Sequence, residues 1–178
     1  MADSRTYLCE ITKVDPHFLV SLKNLIATKI KGEFTEISEK KKKKSKGHKT
    51  LFELRNRKMS GSVGVAVEDG QLFFVGNNHL GQHSYLKRTI IMIYMQKLIL
   101  QVFKEYGFEL LDENERKASL FKRILAGDLQ IKMHINYDND KVNFEYEGGN
   151  VRFNIVILEI REILEEKGFR MFQPGLWI

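Results

Sequence analysis

Val63-Gly64-Val65-Ala66-Val67-Glu68-Asp69-Gly70-Gln71-Leu72-Phe73-Phe74-Val75 alternates apolar side chains up to an Asp-Gly pair and away from it again. Asp-Gly suits a two-residue type I′ turn, because both central residues need positive φ and glycine accepts it without a Cβ clash. Val63, Val65 and Val67 then face one way on the first strand, and Leu72 and Phe74 share that face on the second. The turn sets the register, with Val67 across from Leu72 and Val65 across from Phe74. One sheet face is therefore apolar, and another element must cover it.

The cover follows in the chain. Residues 77–82 read as a loop, and from Ser84 to about Tyr106 the residues Leu86, Ile90, Ile93, Tyr94, Leu98, Val102 and Phe103 recur at helical spacing. Their arc is wide, as expected of a core helix. Gly107-Phe108 ends that helix and opens a short strand through Leu111. A second hairpin follows: Leu129, Ile131, Met133, Ile135 and Tyr137 alternate with polar residues, Asp138-Asn139-Asp140 turns the chain, and Val142, Phe144 and Tyr146 alternate away. Gly148-Gly149-Asn150 leads into a helix, with Asn150 as its cap. Phe153, Val156, Leu158, Ile160, Ile163 and Leu164 are its expected buried side, and Gly168-Phe169 closes it. The unit of hairpin, helix, Gly-Phe and short strand thus occurs twice, in residues 62–111 and 129–172.

Ahead of the first hairpin, residues 6–13 place Tyr7, Cys9 and Ile11 on one face of a strand. Asp15 is an N-cap with Pro16 in the first turn, and Phe18, Leu22, Leu25 and Ile26 predict a helix running to Gly32. Phe34 and Ile37 suggest a short strand, residues 51–57 another, and residues 115–126 a basic-faced helix stopped by Gly127. The expected fold class is α+β: two small antiparallel sheets made of β-hairpins, each backed by a helix, with a βα N-terminal opening. The expected division is an α+β domain at 1–112, with a lysine-rich loop at 39–49, and a helix plus hairpin-helix lobe at 113–178.

Composition sets further limits. A chain of 178 residues with 43% hydrophobic and 29% charged residues can bury a sizeable core and is too apolar for general disorder. Its one cysteine, Cys9, cannot form an internal disulfide, and no cationic, apolar leader opens the chain, so a cytoplasmic or organelle-stroma, non-secreted location is expected. The longest apolar stretch, residues 89–103, is broken by Gln96, Lys97 and Gln101 and is shorter than the roughly 20 residues a bilayer demands. No membrane partner is expected.

Charge is concentrated. Of the 29 lysines and arginines, seven lie in residues 40–49, which hold no acid; the other 22 face 23 acidic residues. The basicity reads as local to one insertion. Lys40, Lys41, Lys42, Lys43, Lys44, Lys46 and Lys49, backed by Arg55, Arg57 and Lys58, form the candidate contact with a phosphate backbone. No aromatic residue is interleaved between Glu39 and Leu51, so stacking on bases is unsupported there.

Catalytic and metal patterns are thin. His79 and His83 stand four apart, but Gly81 lies between them in a loop and no cysteine or acid completes a ligand set. Ser60-Gly61-Ser62-Val63-Gly64 echoes a Gly-x-Ser-x-Gly elbow, yet a hairpin strand follows where the elbow needs a helix. Cys9 reads as a buried, inert thiol, and Asp112, Glu113, Glu115, Asp138 and Asp140 as helix-start and turn residues. No cofactor, metal or catalytic residue is expected.

The first hairpin, the long helix containing Tyr94 and the run Gly107-Phe108-Glu109-Leu110 together resemble the hypothetical chloroplast reading frame thirty-five family of plastids, cyanobacteria and other bacteria, over roughly residues 5–112. Residues 130–168 resemble a small hairpin-helix protein often encoded beside members of that family. The chain departs from the family at its lysine loop and at Asn77-Asn78-His79-Leu80, where the family carries a tryptophan-containing segment. Genes for AAA+ ATPases often neighbour the family, so the resemblance implies an accessory role in such an assembly.

Two functions are therefore expected. The first is a non-enzymatic binding or adaptor protein with a protein partner, contacted through Phe172, Leu176, Trp177 and Ile178, since a tryptophan and two aliphatics at a free end favour docking over water. The alternative is a nucleic-acid-binding protein that holds an RNA or DNA backbone with the lysine loop.

Overall fold

Asp69 and Gly70 both take positive φ, 51° and 76°, and the turn they make joins the strands Val63–Glu68 and Gln71–Val75. Val67 pairs with Leu72 and Val65 with Phe74, the register that an Asp-Gly turn dictates. The structure is a computed structural model describing residues 4–36, 50–124, 129–138, 141–147 and 151–173. It is an α+β fold with two antiparallel sheets. The chain opens with β1 (Ser4–Ile11) and divides into two units, residues 13–94 and residues 1–12 with 95–178.

The 13–94 unit begins with α1 (Pro16–Ser21) and α2 (Lys23–Lys29). The Asp15 carboxylate accepts the His17 amide at 3.0 Å, which satisfies one of the donors a helix leaves open at its start. The expected single helix is interrupted at Leu22 (φ −94°, ψ 0°). Its end also differs: Lys31, not Gly32, takes the left-handed turn, with φ 54°. Gly32 is reserved for another task, since a Cβ there would stand 2.2 Å from the Arg55 carbonyl oxygen.

Four strands follow as a meander: β2 (Gly32–Glu36), β3 (Thr50–Asn56), β4 (Val63–Glu68) and β5 (Gln71–Val75), in the sheet order β2-β3-β4-β5. The helix α3 (Gln82–Glu105) supplies this unit with its residues through Tyr94. Phe52, Leu54, Val63, Val65, Leu86 and Ile90 are buried in it. Tyr94 is buried too; its hydroxyl accepts the Asp15 amide at 2.7 Å, and Phe18 meets its ring edge-on at 5.3 Å.

The other unit takes the rest of α3, then β6 (Glu109–Glu113), β7 (Lys117–Ile124), β8 (Leu129–Asp138), β9 (Lys141–Glu147), α4 (Val151–Glu166) and β10 (Phe169–Phe172). Its six strands run β10-β1-β9-β8-β7-β6, so the opening strand lies between two strands from the far end of the chain. The helix expected at 115–126 is instead β7. Every residue from Lys117 to Ile124 pairs with β8, and Ala118 and Leu120 are buried two apart, the period of a strand. A backbone partner overrides local propensity here. On α4, Ile157, Ile160 and Leu164 are buried and Leu158 is 55% exposed, so the buried arc is rotated from the one expected. The side chain of Phe153, the Asn150 cap and Asn139 with Asp140 lie outside the described residues.

The twice-used unit is present in element order, and both helices end on a left-handed glycine, Gly107 (φ 102°) and Gly168 (φ 94°). The copies are used differently. In the first, the hairpin belongs to the four-stranded sheet and the closing strand β6 to the six-stranded one; in the second, all three strands share one sheet.

Candidate functional site

Three segments distant in sequence meet in the 13–94 unit. The end of α2 brings Lys29, Ile30 and Lys31; the turn after β3 brings Asn56, Arg57, Lys58 and Met59; and the entry to α3 brings His79, Leu80, Gln82 and Tyr85. They line an open groove of about 920 Å³. Pairing of Gly32 with Asn56 at one end of the β2–β3 hairpin forces the first two segments together.

Two side-chain amides hold the segments in place. Asn56 donates from Nδ2 to the Ile30 carbonyl at 2.8 Å and accepts the Lys58 amide on Oδ1 at 3.1 Å. Gln82, the one buried polar side chain among the described residues, accepts the Ser60 amide at 3.1 Å and donates to the Asn77 carbonyl at 2.6 Å. Gln82 is buried and Asn56 half-buried, and each amide uses both its oxygen and its nitrogen to join two segments at once. The His83 amide donates to Asn78 Oδ1 at 3.0 Å, closing the turn into α3.

The electrostatics are one-sided. Lys29, Lys31, Arg57 and Lys58 line the groove with His79, and none of the described lining residues is acidic. No described carboxylate lies within ion-pair distance of Lys31, Arg57 or Lys58. Such a concave basic surface concentrates positive potential and attracts phosphates. Ile30 and Met59 line the groove as apolar residues, and the third segment adds two exposed ones: Leu80 is 88% exposed and Tyr85 42%.

Of the candidate phosphate contacts named from sequence, Arg57 and Lys58 lie in the groove. Arg55 does not; it sits on β3 across from Glu33. Lys40, Lys41, Lys42, Lys43, Lys44, Lys46 and Lys49 lie outside the described residues. Their flanking residues, Glu36 and Thr50, are at the opposite end of the β2–β3 hairpin from Gly32 and Asn56. The expectation that positive charge is confined to the insertion is therefore corrected, because a second set of cations gathers at the base of that hairpin. Lys29, Lys31, His79, Leu80 and Tyr85 were not singled out as contacts from sequence. The signal for the lysines was the hairpin itself: once two strands pair, the residues flanking their shared end must meet.

Of the candidate partner contacts, Phe172 is half-buried on β10 with the Arg170 guanidinium 5.1 Å from its ring centre. Leu176, Trp177 and Ile178 lie outside the described residues. His79 lines the groove, whereas the His83 ring lies 5.6 Å from that of Phe74. Among the described residues no group of three or more His, Cys, Asp or Glu side chains could hold a metal, and no helix is long and apolar enough to cross a membrane.

A second polar cluster lies in the other unit. Lys122 donates to the Tyr106 carbonyl with its ammonium 4.1 Å from the Tyr106 ring centre, and the Tyr106 hydroxyl donates to Glu159. Burial, and then the hydrogen bond to Glu159, push the Tyr106 hydroxyl up to about 12; burial lowers the Lys122 ammonium. These groups are turned on one another and tie the end of α3 to β7 and α4.

No family model matches this chain, and no curated protein matches it either.

Proposed function

We propose that this chain is a non-catalytic binding protein whose 13–94 unit holds nucleic acid by its phosphate backbone, in the groove between the end of α2, the turn after β3 and the entry to α3. The observation that carries this reading is the lining itself: four permanent cations and a histidine with no described carboxylate among them. Gathered cations concentrate positive potential, which favours an anionic ligand over a neutral one. A chain of phosphates offers several anionic groups to the four cations at once.

Each phosphate neutralised by a lysine or arginine releases counterions, so affinity falls with salt in proportion to the number of contacts. Four contacts give a slope of roughly −3 in log K against log salt for a single strand. The test is an anisotropy titration of labelled oligonucleotides across a salt series, with the triple variant Lys31→Gln, Arg57→Gln, Lys58→Gln. We expect the variant to lose at least tenfold in affinity and to flatten the slope. A second variant, with Lys40 to Lys44 changed to glutamine, measures the insertion separately. Wild-type affinity and slope in the groove variant would remove the groove as the contact surface.

A second reading, an accessory subunit that docks on a protein, is favoured by Ile155 and Leu158, which stand three apart on α4 at 53% and 55% exposure. The resemblance to a family whose genes neighbour AAA+ ATPases supports it. Changing both residues to lysine should leave the melting temperature unchanged and remove a stoichiometric partner that co-purifies with the wild type; an unchanged set of co-purifying chains ends this reading.

A further inference from the structure

We infer that the groove selects single-stranded over double-stranded nucleic acid, with Tyr85 as the platform on which one base stacks and Leu80 as the apolar contact beside it. This rests on the reading of the groove as a phosphate site. The four permanent cations of the lining come from the α2 end and the turn after β3, and its most exposed apolar side chains, Leu80 and Tyr85, from the entry to α3. A nucleotide has the same two characters, an anionic phosphate and a flat apolar base. In a duplex the base faces are already stacked and cannot reach a tyrosine, whereas a single strand offers both at once. The volume of about 920 Å³ lies in the roughly 300–1,000 Å³ range of ligand-binding clefts.

Leu80 strengthens the case by its conformation. It is a non-glycine residue in the left-handed region (φ 58°, ψ 25°), and its side chain is almost wholly in water. Both features are unfavourable, and nothing in the fold repays them through burial of the side chain. The segment is nonetheless held, because Gln82 bonds to the Asn77 carbonyl on one side of Leu80 and to the Ser60 amide in the turn after β3. The result is an apolar side chain presented at a basic groove by a braced backbone. Tyr85 stands in the first turn of a 24-residue helix, so its ring is carried by a regular element and not by a loop.

The experiment uses the full chain and three labelled 12-mers: oligo-U RNA, oligo-dT DNA and a DNA duplex. The proteins are wild type, Tyr85→Ala, Tyr85→Phe, Leu80→Ser and the groove triple variant. We expect both or either single strand to bind at least tenfold more tightly than the duplex. Tyr85→Ala should lose roughly tenfold on single strands with an unchanged salt slope, as removal of one stacked base does, and Tyr85→Phe should retain binding. The stronger of the RNA and DNA arms names the strand. Duplex binding as tight as single-strand binding, or a Tyr85→Ala variant that binds like wild type while the triple variant fails, overturns the single-strand inference and leaves the phosphate groove standing. A triple variant that binds like wild type overturns both.

Discussion

Asn56 joins the end of β3 to the end of α2 by a 2.8 Å hydrogen bond from its Nδ2 to the Ile30 carbonyl, while its Oδ1 receives the Lys58 amide at 3.1 Å. One uncharged side chain thereby holds Lys31 and Lys58, 27 positions apart in sequence, on the same groove. Asn56→Ala removes both bonds at a half-buried position. A loss of about 1–2 kcal/mol in urea unfolding is expected, together with a several-fold loss of oligonucleotide affinity although no charge has changed. Stability loss with unaltered affinity would show that the loops keep their places without this amide.

Leu80→Gly separates stability from binding. Glycine relieves a left-handed conformation that costs a larger residue roughly 1–2 kcal/mol, partly offset by the greater freedom glycine has when unfolded. Thermal melts should show stability held, or raised by up to about 1 kcal/mol, while single-strand affinity falls. A clear loss of stability would mean that the Leu80 side chain packs against the fold, contrary to its 88% exposure.

Gly32 and Gly61 distinguish close approach from backbone conformation. A Cβ on Gly32 would meet the Arg55 carbonyl oxygen at 2.2 Å and Asn56 Cβ at 2.8 Å, so the β2–β3 ladder must part at the base of the groove. Gly61 has φ 80° and nothing within 4 Å of its would-be Cβ. Gly32→Ala should cost about 3 kcal/mol, at the upper end for forced overpacking, and weaken binding. Gly61→Ala should cost about 1 kcal/mol and leave binding alone. Equal losses in chemical denaturation would mean that the ladder yields more easily than its geometry implies.

What could be read from the sequence follows how locally each feature is determined. The Asp69-Gly70 hairpin and the Asp15 cap are specified by neighbouring residues, and both appear as read. The strand at Lys117–Ile124 is not, because its state is decided by eight partners on β8 that a local pattern of apolar and basic residues cannot reveal. The site divides in the same way. Arg57 and Lys58 are legible as basic, but sequence proximity groups them with the lysine insertion. Their companions in space, Lys29, Lys31 and Tyr85, arrive by strand pairing and by a helix that begins 24 residues further on. No aromatic residue lies between Glu39 and Leu51; the exposed one that shares a groove with the cations, Tyr85, is on α3.

Cys9 offers a test of the other unit through pH. It has no solvent exposure on β1, paired with Val142 on one side and Met171 on the other. Burial, with a smaller contribution from Glu10, pushes its thiol from 9.0 up to about 12. Below pH 9 the thiol is protonated in both folded and unfolded chains, and its contribution to stability is fully present. Between 9 and 12 the unfolded chain releases the proton and the folded chain keeps it, so stability falls by about 1.4 kcal/mol per pH unit. Tyrosines also titrate in this window, so the measurement is the difference between wild type and Cys9→Ala in urea unfolding at pH 8, 10 and 11. Alanine leaves a small cavity and lowers stability at pH 8, but it carries no proton to lose. Above pH 9 the wild type should lose its advantage over the alanine variant by about 1.4 kcal/mol per pH unit, with the order reversing by pH 11, and iodoacetamide should label Cys9 only as the chain unfolds. Parallel stability curves from pH 8 to 11, or rapid labelling of the folded protein, would show that the thiol meets water in the native state.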